Sequence, residues 1–190
     1  MSKKIYNFND SLVVGAEGEE IVQKYLESKK NIHKVVNMAN NEIFYHKDVD
    51  FVIQYEEPYI YKGEEKIRDR LEIKTDTYTS GNIYYEVVSN ENYDVDGCMK
   101  KTECDWLAYY FIKFDKLYLL RMEDYRNLVE QLIKENRNDV KRKEVKNYAK
   151  KAGETYTSIG YTIPLYLLEE RMPRNSIRIY SNIKKELETV

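Results

Sequence analysis

One helical segment followed by a long series of strand-period runs is what most limits the folds open to this chain. Residues 11–30, SLVVGAEGEEIVQKYLESKK, place Ile21, Val22, Tyr25 and Leu26 at helical spacing, with charges on the other side. Ser11 or Asp10 is the expected cap. Gly15 and Gly18 mark an end suited to close approach to another backbone. KDVDFVIQ (47–54) then reads as a buried strand through Val49, Phe51, Val52 and Ile53, and EEPYIYKGEEKIRDR (56–70) as a hairpin turning at Lys62-Gly63. RLEIKTD (70–76) and NIYYEVVS (82–89) are two more strands, joined through Ser80-Gly81-Asn82. CMKKTECD (98–105) is a short helix at most. WLAYYFIKFDKLYLLRM (106–122) is a hairpin turning at 114–116, and helical spacing returns at 123–136 through Tyr125, Leu128, Leu132 and Ile133. YTSIGYTIPLYLLEERM (156–172) ends in a strand and a short helix after Pro164. No repeat or linker interrupts this order. The expectation is a single domain over residues 1–190, of α/β or α+β class, with a central mixed sheet flanked by helices.

The 190 residues suffice for a real core, and a 42% hydrophobic content is that of a folded chain. A net charge of -2 excludes a uniformly polycationic protein, so any nucleic-acid surface must be a local patch. No apolar run approaches 18 residues and the N-terminus lacks a signal-peptide core, so neither a membrane span nor secretion is expected. Two cysteines, Cys98 and Cys104, make no disulfide framework, which points to a reduced, cytoplasmic setting. His33 and His46 lack partners at zinc spacing.

LEIKTD carries the chemistry. Strand alternation puts Leu71 and Ile73 on one face and Glu72 and Lys74 on the other. The tripeptide Glu-x-Lys occurs four times in the chain, and only this copy has strand context. Asp50 lies in the preceding core strand. A buried carboxylate needs a cation, a metal or hydrogen-bond donors. Two carboxylates and a lysine suit Mg²⁺, with Mn²⁺ as a substitute, because Mg²⁺ takes oxygen ligands and keeps waters for substrate phosphate. The lysine can orient or deprotonate a water, or stabilise phosphate charge. If the turn at Ser80 pairs residues whose numbers sum to about 160, Glu86 lies opposite Lys74 and joins the cluster.

In this order the residues resemble the PD-(D/E)XK nuclease superfamily, with its restriction-endonuclease-like fold, and within it phage and related bacterial members. GEEIVQKYL resembles the opening helix, with Glu19 the best match and Glu20 or Glu17 as alternatives. DVDFVI resembles the aspartate strand through Asp50, and LEIKT the Glu-x-Lys strand through Glu72 and Lys74. The proline that usually precedes the aspartate is missing. GCMKKTECDWLAYYF resembles a stretch in which a threonine and an aspartate, here Thr102 and Asp105, precede an aromatic strand. YTIPLYLL resembles the C-terminal strand. The resemblance runs from about residue 15 to 170. It implies Mg²⁺-dependent hydrolysis of DNA phosphodiesters, with Asp50 and Glu72 as metal ligands, Lys74 positioning the attacking water, and Glu19 reaching the metal through water or holding Lys74.

Plainer readings stand beside these. Asp50 can be a turn residue, Glu72 and Lys74 an ion pair, Glu19 and Glu86 solvated surface groups, and Thr102 and Asp105 a helix cap. Residues 134–151 hold eight Lys/Arg against three Asp/Glu. This run, with Lys141, Arg142, Lys143, Lys146, Lys150 and Lys151, is either a solvated helix face or a track for a phosphate backbone, with Lys100 and Lys101 as a second basic spot. The expected partner is DNA, with a homodimer as an option and no membrane. The competing function is a catalytically weak or inactive nucleic-acid-binding or protein-interaction module on the same fold.

Overall fold

The computed structural model describes residues 6–149 and 153–189, and side chains from Leu12 onward, leaving out Ala149. Its elements in order are β1 (Tyr6–Asn7), α1 (Phe8–Glu27), β2 (Ile32–Asn37), α2 (Glu42–Tyr45), β3 (Phe51–Tyr61), β4 (Glu64–Asp76) and β5 (Asn82–Asn90). There follow β6 (Val95–Asp96), α3 (Cys98–Lys101), β7 (Trp106–Phe111), β8 (Lys116–Arg121), α4 (Met122–Lys134), β9 (Lys141–Ala149), β10 (Glu154–Pro164), α5 (Leu165–Arg171), β11 (Ile177–Ser181) and α6 (Ile183–Glu188).

The expected α/β architecture is present: a mixed central sheet in the order β11-β8-β7-β4-β3-β2, flanked by helices. The β4–β7 pair is parallel and the other neighbours are antiparallel. On one face α1 sets Val22, Tyr25 and Leu26 against Phe51, Leu71, Ile73, Ala108 and Tyr110. On the other, α4 sets Tyr125, Leu128, Val129 and Leu132 against Leu107, Tyr109, Tyr118 and Leu120. The 3.6-residue and two-residue periodicities thus end as the two faces of one sheet. The turn at Lys62-Gly63 has positive φ at both residues, 51° and 84°, as a type I′ hairpin requires.

A second sheet, β1-β9-β10-β5-β6, was not expected. It corrects the pairing of RLEIKTD with NIYYEVVS. β4 is flanked by β3 along its first part and by β7 along residues 71–76, while β5 pairs with β10 and β6. Ser80-Gly81 therefore carries the chain from one sheet to the other. The basic run is corrected in form too: from Lys141 it is a strand, not a helix face. No helix among the described residues is long and apolar enough to cross a membrane.

Gly18 fixes how closely α1 lies on β4. A Cβ built there would stand 1.8 Å from Thr75 Oγ1. The contact is with a side chain, and Gly15, the other glycine of that helix, meets nothing within 4 Å. Gly18→Ala is expected to lose about 1–3 kcal/mol in urea unfolding, as overpacked sites do. It should also lift the neighbouring Glu19 away from β4. A midpoint equal to that of the parent would mean that α1 is not clamped at Gly18.

Candidate functional site

The site forms where β3 runs out and β4 continues. β3 begins at Phe51, opposite Leu71, so residues 72–76 of β4 pair with β7 alone. The main-chain donors on the vacated side need partners. Asp50 supplies one: its N–H donates to Leu71 O at 2.9 Å, and its Oδ2 accepts from Ile73 N at 2.7 Å. This holds the Asp50 carboxylate beside the Glu72–Lys74 segment. Asp50 thus lies at the strand end, as in the plainer reading, and also in the cluster.

Glu72 is only 2% exposed. Its Oε1 lies 2.5 Å from Lys74 Nζ, and its Oε2 is buried with no hydrogen-bond partner. Burial pushes its carboxyl up to about 8, Lys74 pulls the other way and Asp50 adds to the rise. Burial works against the Lys74 ammonium, but Cys98, Glu72 and Asp50 outweigh it and hold Lys74 well above its ordinary value. The Cys98 thiol is itself pushed up to about 12, chiefly by burial, so at neutral pH it carries no charge to attract Lys74.

Of the three glutamates considered on α1, Glu19 is the one turned to the cluster. Burial raises its pKa, Asp50 adds to the rise and Lys74 opposes it. Glu17 is exposed and paired with Lys184 at 3.1 Å, and Glu20 is exposed and paired with Lys24 at 2.6 Å. Glu86 also arrives, but from the second sheet. Its Oε2 accepts from Cys98 N at 3.4 Å, and its pKa is raised by burial and lowered in part by Lys74.

Sequence reasoning missed Asp48. It has φ 47°, a left-handed conformation rare outside glycine, asparagine and aspartate, and its charge acts on both Glu72 and Glu86. Two residues from Asp50 in KDVD, it was legible as a second acid and was passed over. Lys101 Nζ binds its Oδ1 at 2.9 Å, and Thr102 Oγ1 donates to its main-chain oxygen at 2.6 Å. Thr102 and Lys101 therefore shape the loop that carries Asp48. Arg126, from α4, braces the α3 segment that packs on this loop, donating to Met99 O at 2.8 Å and Thr102 O at 2.5 Å.

Asp105 and Lys100 are placed elsewhere. The Asp105 carboxylate is taken up by Lys66 Nζ at 2.8 Å, Arg70 N at 2.8 Å and Arg70 Nε at 3.1 Å. Lys100 pairs with Asp96 at 3.3 Å. Lys141, Arg142, Lys143 and Lys146 lie exposed on β9, and Lys150 and Lys151 fall outside the described residues.

The donor set suits a hard divalent cation in kind: oxygen ligands, one of them a buried carboxylate oxygen with nothing bound to it. Among the described residues, no group of three or more His, Cys, Asp and Glu stands ready to hold a metal by itself. Mg²⁺ does not require one, since it is commonly held by one or two carboxylates together with water and substrate phosphate.

The buried acid makes stability depend on pH. Glu72 binds its proton more tightly folded than unfolded, so between about 4.5 and about 8 the native state carries the extra proton. Stability must then fall as pH rises through that window and level off above it. Glu19 and Glu86 shift in the same direction. Glu72→Gln is therefore expected to flatten the decline in urea midpoint between pH 5 and 8 without abolishing it; an unchanged slope would remove Glu72 as a source. No family model, curated protein or solved structure matches the chain.

Proposed function

We propose that this chain is a metal-dependent deoxyribonuclease of PD-(D/E)XK type. One observation carries the reading. A helix glutamate (Glu19), a strand-end aspartate (Asp50) and the Glu72–Lys74 pair converge from three separate elements, and Glu72 Oε2 is left buried and unpaired. An orphaned carboxylate oxygen costs several kcal/mol unless a cation meets it.

Asp50 and Glu72 are the residues that would hold Mg²⁺ or Mn²⁺. A cation there would supply charge neutralisation on the phosphoryl oxygens. The protein's own groups do the rest. Lys74 is held charged, so it acts as a donor that orients water or a phosphoryl oxygen, not as the base. The reaction forms a bond from water oxygen to phosphorus and breaks one ester P–O bond, with a proton passing to the leaving oxygen. Glu19, from the α1 side, is placed to hold Lys74 or a water beside Asp50.

The competing reading, a nucleic-acid-binding or protein-interaction module without catalysis, draws on the lack, among the described residues, of a group of three or more His, Cys, Asp or Glu side chains able to hold a metal. Titration with Mg²⁺ and Mn²⁺, followed by incubation with labelled duplex, junction, single-stranded and nicked DNA, separates the two. Metal binding lost in Asp50→Asn, together with metal-dependent cleavage of any of these forms, supports the enzyme. DNA binding with no metal site and no cleavage supports the module.

A further inference from the structure

The register of β9 divides the basic run in two. Residues opposite one another on neighbouring strands share a face of the sheet, and successive residues alternate. Lys143 stands opposite Gly160, and Gly160 opposite Glu86. Lys141 stands opposite Thr162, and Thr162 opposite Tyr84. Lys141 and Lys143 therefore project from the face that carries Glu86. Side-chain contacts agree with this parity: Asn147, four residues after Lys143, donates from Nδ2 to Ser158 Oγ at 3.2 Å, and Ser158 lies against Glu86.

Arg142 stands opposite Tyr161, and Tyr161 opposite Tyr85. Tyr85 faces the core, its ring 5.4 Å from that of Tyr125. Arg142 and, by alternation, Glu144 and Lys146 thus project from the opposite face, where Arg142 is bound to Glu144 at 2.6 Å. Lys141 and Lys143 are exposed, and no ion pair among the described residues involves them.

Two strand spacings separate β5 from β9, about 10 Å in all. That distance is of the order of one to a few phosphate spacings along a nucleic-acid strand, so a lysine there can meet a phosphate near the one at the carboxylates. Building on the nuclease reading above, we propose that Lys141 and Lys143, and not Arg142 and Lys146, hold the backbone of the bound DNA on one side of the cut.

The test compares the double variants Lys141→Gln/Lys143→Gln and Arg142→Gln/Lys146→Gln. Binding to a short fluorescein-labelled duplex and to its single strand is followed by anisotropy in Ca²⁺ across a salt series. Loss of two phosphate contacts should reduce the slope of log affinity against log salt by about 1.8 on duplex, or about 1.4 on single strands. Between 50 and 200 mM salt the parent should lose about twelve-fold more duplex affinity than the first variant, and the second variant should keep the parent slope. Equal effects of the two pairs, or none from either, overturn the proposal while leaving the nuclease reading in place; the lysines would then be solvated groups on the strand face. If the parent neither binds nor cuts any DNA form, the nuclease reading itself falls, and the proposal with it.

Discussion

Lys74→Ala is expected to lose about 10²–10⁴-fold in the rate of DNA cleavage while remaining folded, the loss typical of removing a positioned proton-handling or donor group. The fold should survive because Glu72 need not stay charged once its partner is gone. Its carboxyl, pushed up to about 8, is already mostly neutral at pH 7, and losing the ammonium 2.5 Å away only deepens that. Two causes of a lower rate must be separated, since a protonated Glu72 also binds metal less well. Cleavage followed through a rising pH series at saturating metal does so. If only the ionisation of Glu72 were at stake, higher pH would restore the rate. With Lys74 orienting the attacking water, it should not. Parent-like turnover in the variant at neutral pH would make Lys74 structural.

The largest expected loss of stability lies on the opposite side of β4. Asp69, 1% exposed, accepts from Tyr55 Oη at 2.9 Å, Tyr59 Oη at 2.6 Å, Trp106 Nε1 at 2.9 Å and Arg121 Nη1 at 3.4 Å. The Arg121 guanidinium stacks between the Tyr61 and Trp106 rings, 4.1 Å from each centroid. Removing one partner of a buried ion pair leaves the other charge uncompensated. Asp69→Ala is therefore expected to lose about 3–5 kcal/mol in urea unfolding, a large share of the roughly 5–15 kcal/mol a domain possesses. Replacing both partners, as in Asp69→Leu with Arg121→Met, should recover much of the loss, because the penalty belongs to the stranded charge. A loss below about 1 kcal/mol in the single variant would show that the tyrosines and water solvate Arg121 without its acid.

The helices at α1 and α4, the strands β3, β4, β7, β8 and β10 and the turn at Lys62-Gly63 were legible in the sequence, as was the alternation that sets Glu72 and Lys74 on one face of β4, because each depends on local periodicity or turn chemistry. Lys62-Gly63 could form only a left-handed turn, and Leu71 and Ile73 could only face away from Glu72 and Lys74. What lay beyond local rules was strand partnership. The tight link at Ser80-Gly81 reads as a hairpin, yet β7 takes the edge of β4 that β5 would have used, because the all-buried strand WLAYYF gains more from the middle of a sheet than from its rim. Glu86 therefore reaches Lys74 from a second sheet, not across a shared ladder. The same holds for Glu19 among its neighbouring glutamates: periodicity puts all three on one helix, and the clamp of Gly18 on Thr75 turns one toward Asp50. A run of lysines and arginines has no sides until a strand is paired. Only the register of β9 on β10 separates Lys141 and Lys143 from Arg142 and Lys146, since alternation acquires a direction when one face of the sheet meets the carboxylates.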